Sequence, residues 1–336
     1  TPGSPASARC PATSRCPACS SAGGSMSQEQ SPFHTGELAI QERAGVREQV
    51  AGFGSRAIRT FMPDQHREFF SLLSLLLVGS LDADGYPSAS VLWGPPGFAR
   101  SPEPTRLRID NLPQADDPLA ANLEAGTRLG ILGLEWPTRR RNRMNGRVLA
   151  RDGKGFTVGV EQSFGNCPKY IQARSHQPVS RIASPALQGE GLDPRWLSLV
   201  SRSDTLFIAS QHADPLRGGV DVSHRGGPPG FLRLGADGRL WLPDYAGNRL
   251  FNTLGNLLQD PRCGLLFIDF DAGELLHLHA EAELFWPGSQ PSIPWPAGAE
   301  RLLALRPRRA GAGGAAACRW HSGEPHPSLF FPAGES

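Results

Sequence analysis

Apolar residues fall in two rhythms along this chain. Between residues 34 and 74, Leu38, Ile40, Val46, Val50, Ile58 and Phe61 are spaced among charges, and Phe69, Phe70, Leu72 and Leu73 follow after Pro63. That spacing predicts helices. From residue 75 the apolar residues gather into short runs bounded by Gly, Pro, Asp and Asn. Such runs predict strands. The same series is predicted twice: a strand (75–81; 205–210), a second (87–93; 219–225), and a third after a Gly-Pro-Pro-Gly turn (97–100; 230–234). Asp237-Gly238 then makes a hairpin into Leu240-Trp-Leu242. A short helix (117–124; 247–258), an apolar strand (128–135; 262–270) and a last strand (144–151; 275–285) complete each series. Residues 163–200 are left to a connection of one or two helices. After Trp286 the pattern gives way to Pro, Gly, Ala and Arg, and Arg306 to Ala317 lacks the apolar residues of a core strand.

The series recurs because the sequence does. Leu75-Leu-Leu-Val-Gly-Ser80 matches Thr205-Leu-Phe-Ile-Ala-Ser210. Gly94-Pro-Pro-Gly-Phe98 returns unchanged as Gly227-Pro-Pro-Gly-Phe231, and Arg128-Leu-Gly-Ile-Leu132 matches Arg262-Cys-Gly-Leu-Leu266. Matches in the same order at offsets of 130, 133 and 134 point to a duplicated unit. Strand-dominated units with one small helix argue for a barrel. The expected organisation is a disordered N-terminal tail (1–33), a first barrel with its helices and connection (34–200), a second barrel (201–286) and a disordered C-terminal tail (287–336). Residues 1–25 are low in complexity and precede Met26. They read as upstream sequence or a cloning remnant and are set apart from the fold.

Charge and composition narrow the function classes. Lys+Arg 34 against Asp+Glu 32 leaves +2 on 336 residues, which gives no general pull toward nucleic acid or a membrane surface. No apolar run approaches the roughly 20 residues of a spanning helix, and the beginning of the chain lacks a basic-then-apolar leader. Cys10, Cys16 and Cys19 lie in the N-terminal tail without a fourth metal ligand at useful spacing, while Cys167, Cys263 and Cys318 are scattered. The expected setting is a reducing cytoplasm, without a disulfide framework.

The order of elements, with Asp260-Pro-Arg-Cys-Gly-Leu-Leu-Phe267 on a strand and Phe164-Gly-Asn-Cys-Pro-Lys-Tyr-Ile-Gln172 after the first unit, resembles the pyridoxamine 5′-phosphate oxidase-like, FMN-binding split-barrel family. The resemblance covers roughly residues 34–286. It implies a mainly β fold of two tandem split β-barrels forming an intramolecular pseudo-dimer. It also implies FMN at the barrel–barrel seam and flavin-mediated hydride or electron transfer to a small-molecule substrate or redox partner. Vitamin B6 oxidation is not implied, because the family's substrate-phosphate site has no counterpart that can be located here. Related barrels use deazaflavin or haem. A flavin- or haem-binding module without turnover and a cofactor-free interaction pseudo-dimer therefore stay open, as does a monomer against a homodimer.

FMN sets two physical demands: charge-assisted donors for a dianionic phosphate, and a flat apolar slot with donors near the edge that gains charge on reduction. Ser223-His224-Arg225 ends a strand, and Gly247-Asn248-Arg249 opens the helix that continues through Asn252. The resemblance places the phosphate between a strand-borne Arg and this helix start, hence on Arg225, Ser223, Asn248 and Arg249, with His224 and Asn252 lining the same pocket. In the first repeat, Leu92 and Val91 fall opposite Arg225 and His224, and Asp116 and Asp117 open the helix. One full site is expected, with the first repeat supplying the facing wall. Candidates for that wall are Trp93, Trp136, the run Arg139-Arg-Arg141, Arg143, Lys169 and Arg174. His277 and His279 alternate on one strand face without an evident third ligand. Cys263, in an apolar strand, reads as an inert buried thiol. No G-x-G-x-x-G, phosphate-binding P-loop, G-x-S-x-G or H-E-x-x-H pattern is present.

Overall fold

Three helices precede the strands: α1 (Thr35–Arg43), α2 (Arg47–Ala57) and α3 (Asp64–Leu72). This computed structural model describes residues 31–178, 187–214, 217–315 and 318–326. Of the expected N-terminal tail (1–33), residues 1–30 lie outside them, as do the last ten residues, while Phe33 at its end is buried in a core cluster. Pro32–Ser336 form one compact unit.

Two antiparallel sheets share one strand order. The first holds β1 (Leu75–Leu81), β2 (Pro87–Trp93), β3 (Ala99–Glu103), β4 (Arg106–Ile109), β5 (Arg128–Glu135), β6 (Arg140–Asp152) and β7 (Gly155–Asn166), in the order β2-β1-β5-β6-β7-β4-β3. β8 (Ala173–Pro178), which pairs with a C-terminal strand, then β9 (Leu187–Glu190) and α4 (Pro194–Arg202), lead on to the second. That sheet holds β10 (Thr205–His212), β11 (Gly219–Gly226), β12 (Arg233–Leu234), β13 (Leu240–Tyr245), β14 (Arg262–Ile268), β15 (Glu274–Phe285) and β16 (Ala299–Ala315), in the order β11-β10-β14-β15-β16-β13-β12. β9 pairs with β16, and the C-terminal strand is β17 (Cys318–His326). The fold is mainly β, two tandem split barrels. A 3-10 helix (Pro118–Asn122) and α5 (Asn252–Gln259) occupy the same place in each.

The continuous apolar runs mark strands buried on both faces. On β1, Leu76 and Val78 enter the first barrel's core, while Leu75 and Leu77 face the core shared between barrels. On β10, Leu206 and Ile208 point into the second barrel and Phe207 and Ala209 into the shared core. Matched glycines let the barrels close together. A Cβ on Gly130 would stand 2.4 Å from the Asp221 Cα, and one on Gly264 would stand 2.3 Å from the Pro87 carbonyl oxygen. β5 thus meets β11, and β14 meets β2, as one contact made twice.

Three expectations are corrected. The region 287–336 is not a tail throughout, since Ala299–Ala315 runs between β15 and β13. Leu302, Leu303, Ala304 and Leu305 are its buried half. Its Gly/Ala/Arg half continues because ladder hydrogen bonds come from the backbone, with Pro307 beside a register shift that spares the ladder a missing donor. A long β6–β7 hairpin replaces the single strand expected at 144–151, while the connection after it carries one helix, α4, as expected, together with β8 and β9. The second short helix begins at Asn252 rather than Gly247. Among the described residues no helix is long and apolar enough to cross a membrane.

Candidate functional site

Arg141 and Arg143 lie two apart on β6, so they share one face. Both cross the seam to β11. Arg143 donates from Nη2 to the Val222 carbonyl at 3.1 Å and to Ser223 Oγ. Arg141 donates from Nε to the Cys167 carbonyl at 2.7 Å, and its Nη1 lies 3.2 Å from His224 Nδ1. These side chains wall an open cavity enclosing about 840 Å³, solvent-open space included. Its other walls come from the 166–170 segment after β7, the end of β13, the loop into α5, and Arg301 of β16.

Ser223, His224, Arg225, Lys169, Asn248, Arg249 and Asn252, expected together from the sequence, all line this cavity. Arg225 donates from Nη1 to Asp244 at 2.7 Å, and Arg301 donates to the same carboxylate at 2.8 Å. Asn248 donates to Asn166, and Asn252 to Glu37 of α1. Because α5 starts at Asn252, Arg249 does not stand at its N-terminus. Its guanidinium turns outward to Gln49 of α2 at 3.2 Å. Trp93 is not brought to the cavity. It packs edge-on against Trp320 and His176 in the shared core. Trp136 is buried there too, and Arg174 pairs with Asp204 over Phe270. Asp244, Tyr170 and Arg301 escaped the sequence reading. Arg301 carried no signal, because its strand lies where no apolar pattern marks one.

The cavity's backbone is strained. Tyr170, Arg249 and Phe251 have φ of 65°, 61° and 62°, a region that costs a non-glycine residue about 1–2 kcal/mol. Such residues gather where surrounding structure holds a binding site in place. Phe251 is also the N-cap of α5 and offers no side-chain oxygen to the helix's first N–H groups.

A phosphate-bearing cofactor suits this donor set. Arg143 is 3% exposed, yet its Nε and Nη1 have no hydrogen-bond partner, and neither do Arg225 Nε and Asn166 Nδ2. Asp221, 3.6 Å from Arg143, is the nearest carboxylate to it. Burial opposes the charge of Arg141 and Arg143, but a guanidinium keeps its proton in proteins. Buried donors left open in this way favour an anion that accepts from them. His224 is held well below its ordinary pKa by burial, with Arg141, Arg174 and Arg225 adding to the effect.

The other end of the seam differs. Leu92 and Val91 stand where Arg225 and His224 stand and are buried in apolar clusters. Asp117 caps the 3-10 helix through the Leu119 N–H at 2.8 Å. With Asp82, Asp84, Asp116 and Glu124 it lines a cavity whose carboxylates outnumber its one arginine, Arg309. His277 and His279 make seam contacts there, to the Ala89 carbonyl at 3.0 Å and to Ser88 Oγ at 2.9 Å. Among the described residues no group of three or more His, Cys, Asp or Glu side chains is placed to hold a metal. Burial pushes the Cys263 thiol up.

Residues 62–184 match the family model described as pyridoxamine 5′-phosphate oxidase. That stretch, which holds the first barrel, is similar to the pyridoxamine 5′-phosphate oxidase family. No curated protein matches the chain. Among solved structures, a HupZ variant from Group A Streptococcus is 12% identical with a TM-score of 0.29, over 36% of this chain and 98% of that one. An FAD-binding protein from Mesorhizobium loti is 10% identical with a TM-score of 0.25, over 39% and 99%. A conserved hypothetical protein from Mycobacterium tuberculosis is 17% identical with a TM-score of 0.24, over 43% and 92%.

Proposed function

We propose that this chain is an FMN-dependent oxidoreductase that binds one flavin, in the cavity between β6 and β11. The observation that carries this reading is the set of buried donors of Arg143 and Arg225 that make no hydrogen bond, with Asp221 facing Arg143 at 3.6 Å, beside the uncapped start of α5. Bound there, FMN supplies hydride or single-electron transfer. The chain's own residues bind and orient it. Arg225, held by Asp244, and the first N–H groups of α5 offer donors to the phosphate. Ser223 and Thr253, joined at 2.9 Å, complete that wall. Arg141, Arg143 and Lys169 close the site from the first barrel, so both barrels are needed for one site.

The test is titration of the purified protein with FMN, read by flavin absorbance and fluorescence. One equivalent per chain is expected, with NAD(P)H oxidation by the loaded protein. A protein that ignores FMN would falsify the reading. Uptake without turnover of any reductant would reduce it to a binding module, and a Soret band on native protein would replace flavin by haem.

A further inference from the structure

We propose that His224 tunes the redox state of the bound cofactor, as a neutral imidazole locked with its proton on Nε2 that donates to the ring edge gaining negative charge on reduction. The proposal rests on the FMN reading above. A guanidinium only donates. Arg141 Nη1, 3.2 Å from His224 Nδ1, therefore requires Nδ1 to accept. In a neutral imidazole the proton then sits on Nε2. That Nε2 is buried and has no partner in the protein, although His224 lines the cavity and is only 6% exposed. Trp136 and Phe207 meet the ring edge-on with centroids 6.2 and 5.7 Å away, which keeps its surroundings dry. Burial and the neighbouring guanidinium groups keep the ring uncharged.

The first repeat supplies an internal comparison. Phe207 pairs with His224 as Leu77 pairs with Val91, and Leu134 pairs with Arg141 as Ile268 pairs with Leu275. Val91 and Leu275 thus replace His224 and Arg141, and both belong to the shared apolar core. Where one member of the pair is lost, so is the other. With its lone pair turned to Arg141, His224 has none at Nε2 to give to haem iron or another metal. A ligand acceptor is what it can serve, and a flavin offers one beside N1, where charge builds up on reduction.

Long-range 1H–15N NMR of the protein as purified reads the tautomer directly. The proposal expects the Nε2–H form, and an Nδ1–H form overturns it. Binding of oxidised and dithionite-reduced FMN then measures the tuning. His224→Phe should lose about tenfold of the site's preference for reduced flavin, equal to a midpoint about 30 mV lower for a two-electron couple. His224→Gln, which restores an N–H donor, should keep most of that preference. A wild-type ratio in His224→Phe, or an equal loss in both variants, overturns the proposal. If His224→Phe does not fold, the tautomer and the Gln variant decide. Failure of the wild type to take up FMN is a separate result that removes the underlying reading.

Discussion

The two ends of the inter-barrel seam are built from matching strands and end as opposites. At both, a glycine admits the partner's backbone, and an asparagine ties the short helix to the first strand: Asn122 to Ser80 at 3.1 Å, Asn256 to Ser210 at 3.0 Å. At both, a side chain crosses to the second strand's backbone, from His277 to Ala89 and from Arg143 to Val222. These shared contacts are what two barrels need to close. Beyond them, Arg225, His224 and Arg141 face Leu92, Val91 and Leu275 in the comparison. Cationic side chains with unfilled donors line one end, apolar packing and carboxylates the other. The contacts common to both ends hold the barrels together, and the proposed chemistry rests on Arg143 and on the positions where the two ends diverge.

The comparison can be broken hardest at what the two ends share. Gly130→Val and Gly264→Val each force a side chain into the facing backbone and should cost at least about 3 kcal/mol, read by chemical denaturation. Equal stability to the parent would mean that the seam tolerates separation. Next comes the divergent pair. Leu92→Ala should cost about 2–5 kcal/mol as a core truncation while leaving FMN uptake by the folded fraction intact. Arg225→Ala should do the reverse, keeping the fold and losing ten- to a hundredfold in FMN affinity, since a charge-assisted bond is worth about 1.5–3 kcal/mol.

A subtler difference lies under α5. Glu37 of α1 is buried beside Asn252, with His34, Asp221 and Arg143 near it, and burial raises its carboxyl from 4.5 to about 8. Between those values the native carboxyl holds a proton that the unfolded chain has released, so rising pH favours unfolding. Below about 4.5 both states hold it and the full contribution is present. Relative to Glu37→Gln, the wild type should therefore lose stability from about pH 5 to pH 8, by up to a few kcal/mol. Parallel pH profiles for the two proteins would remove Glu37 as the cause. The smallest effect belongs to Arg249→Ala. Because its guanidinium turns to Gln49 at an exposed edge, FMN affinity should fall by less than about tenfold. A loss as large as that of Arg225→Ala would place Arg249 on the phosphate after all.

Much of this was legible in the chain itself. Repeated apolar runs with Gly-Pro-Pro-Gly turns mark strands and their order, because a strand buried on both faces must be apolar throughout and a tight turn needs those residues. The clustering of Arg225 with Ser223 and His224 is local; the family resemblance singled out Ser223, Arg225, Asn248 and Arg249, and these four lie along one cavity. What spacing cannot carry is a partner supplied from elsewhere. The Gly/Ala/Arg half of β16 is a strand only because β15 and β9 offer it backbone bonds. Arg301 reaches the cavity because that strand lies beside β13. Trp93 sits on the right strand yet packs against Trp320, a residue far along the chain. The start of α5 shifts to Asn252 because Glu37 and Gln41 of α1 hold the preceding loop, through Asn252 and the Leu250 carbonyl. Side-chain type and period determine which segments become strands and which positions carry charge. Contacts between residues distant in sequence decide which of those charges meet, because their free energy exists only once the barrels have closed.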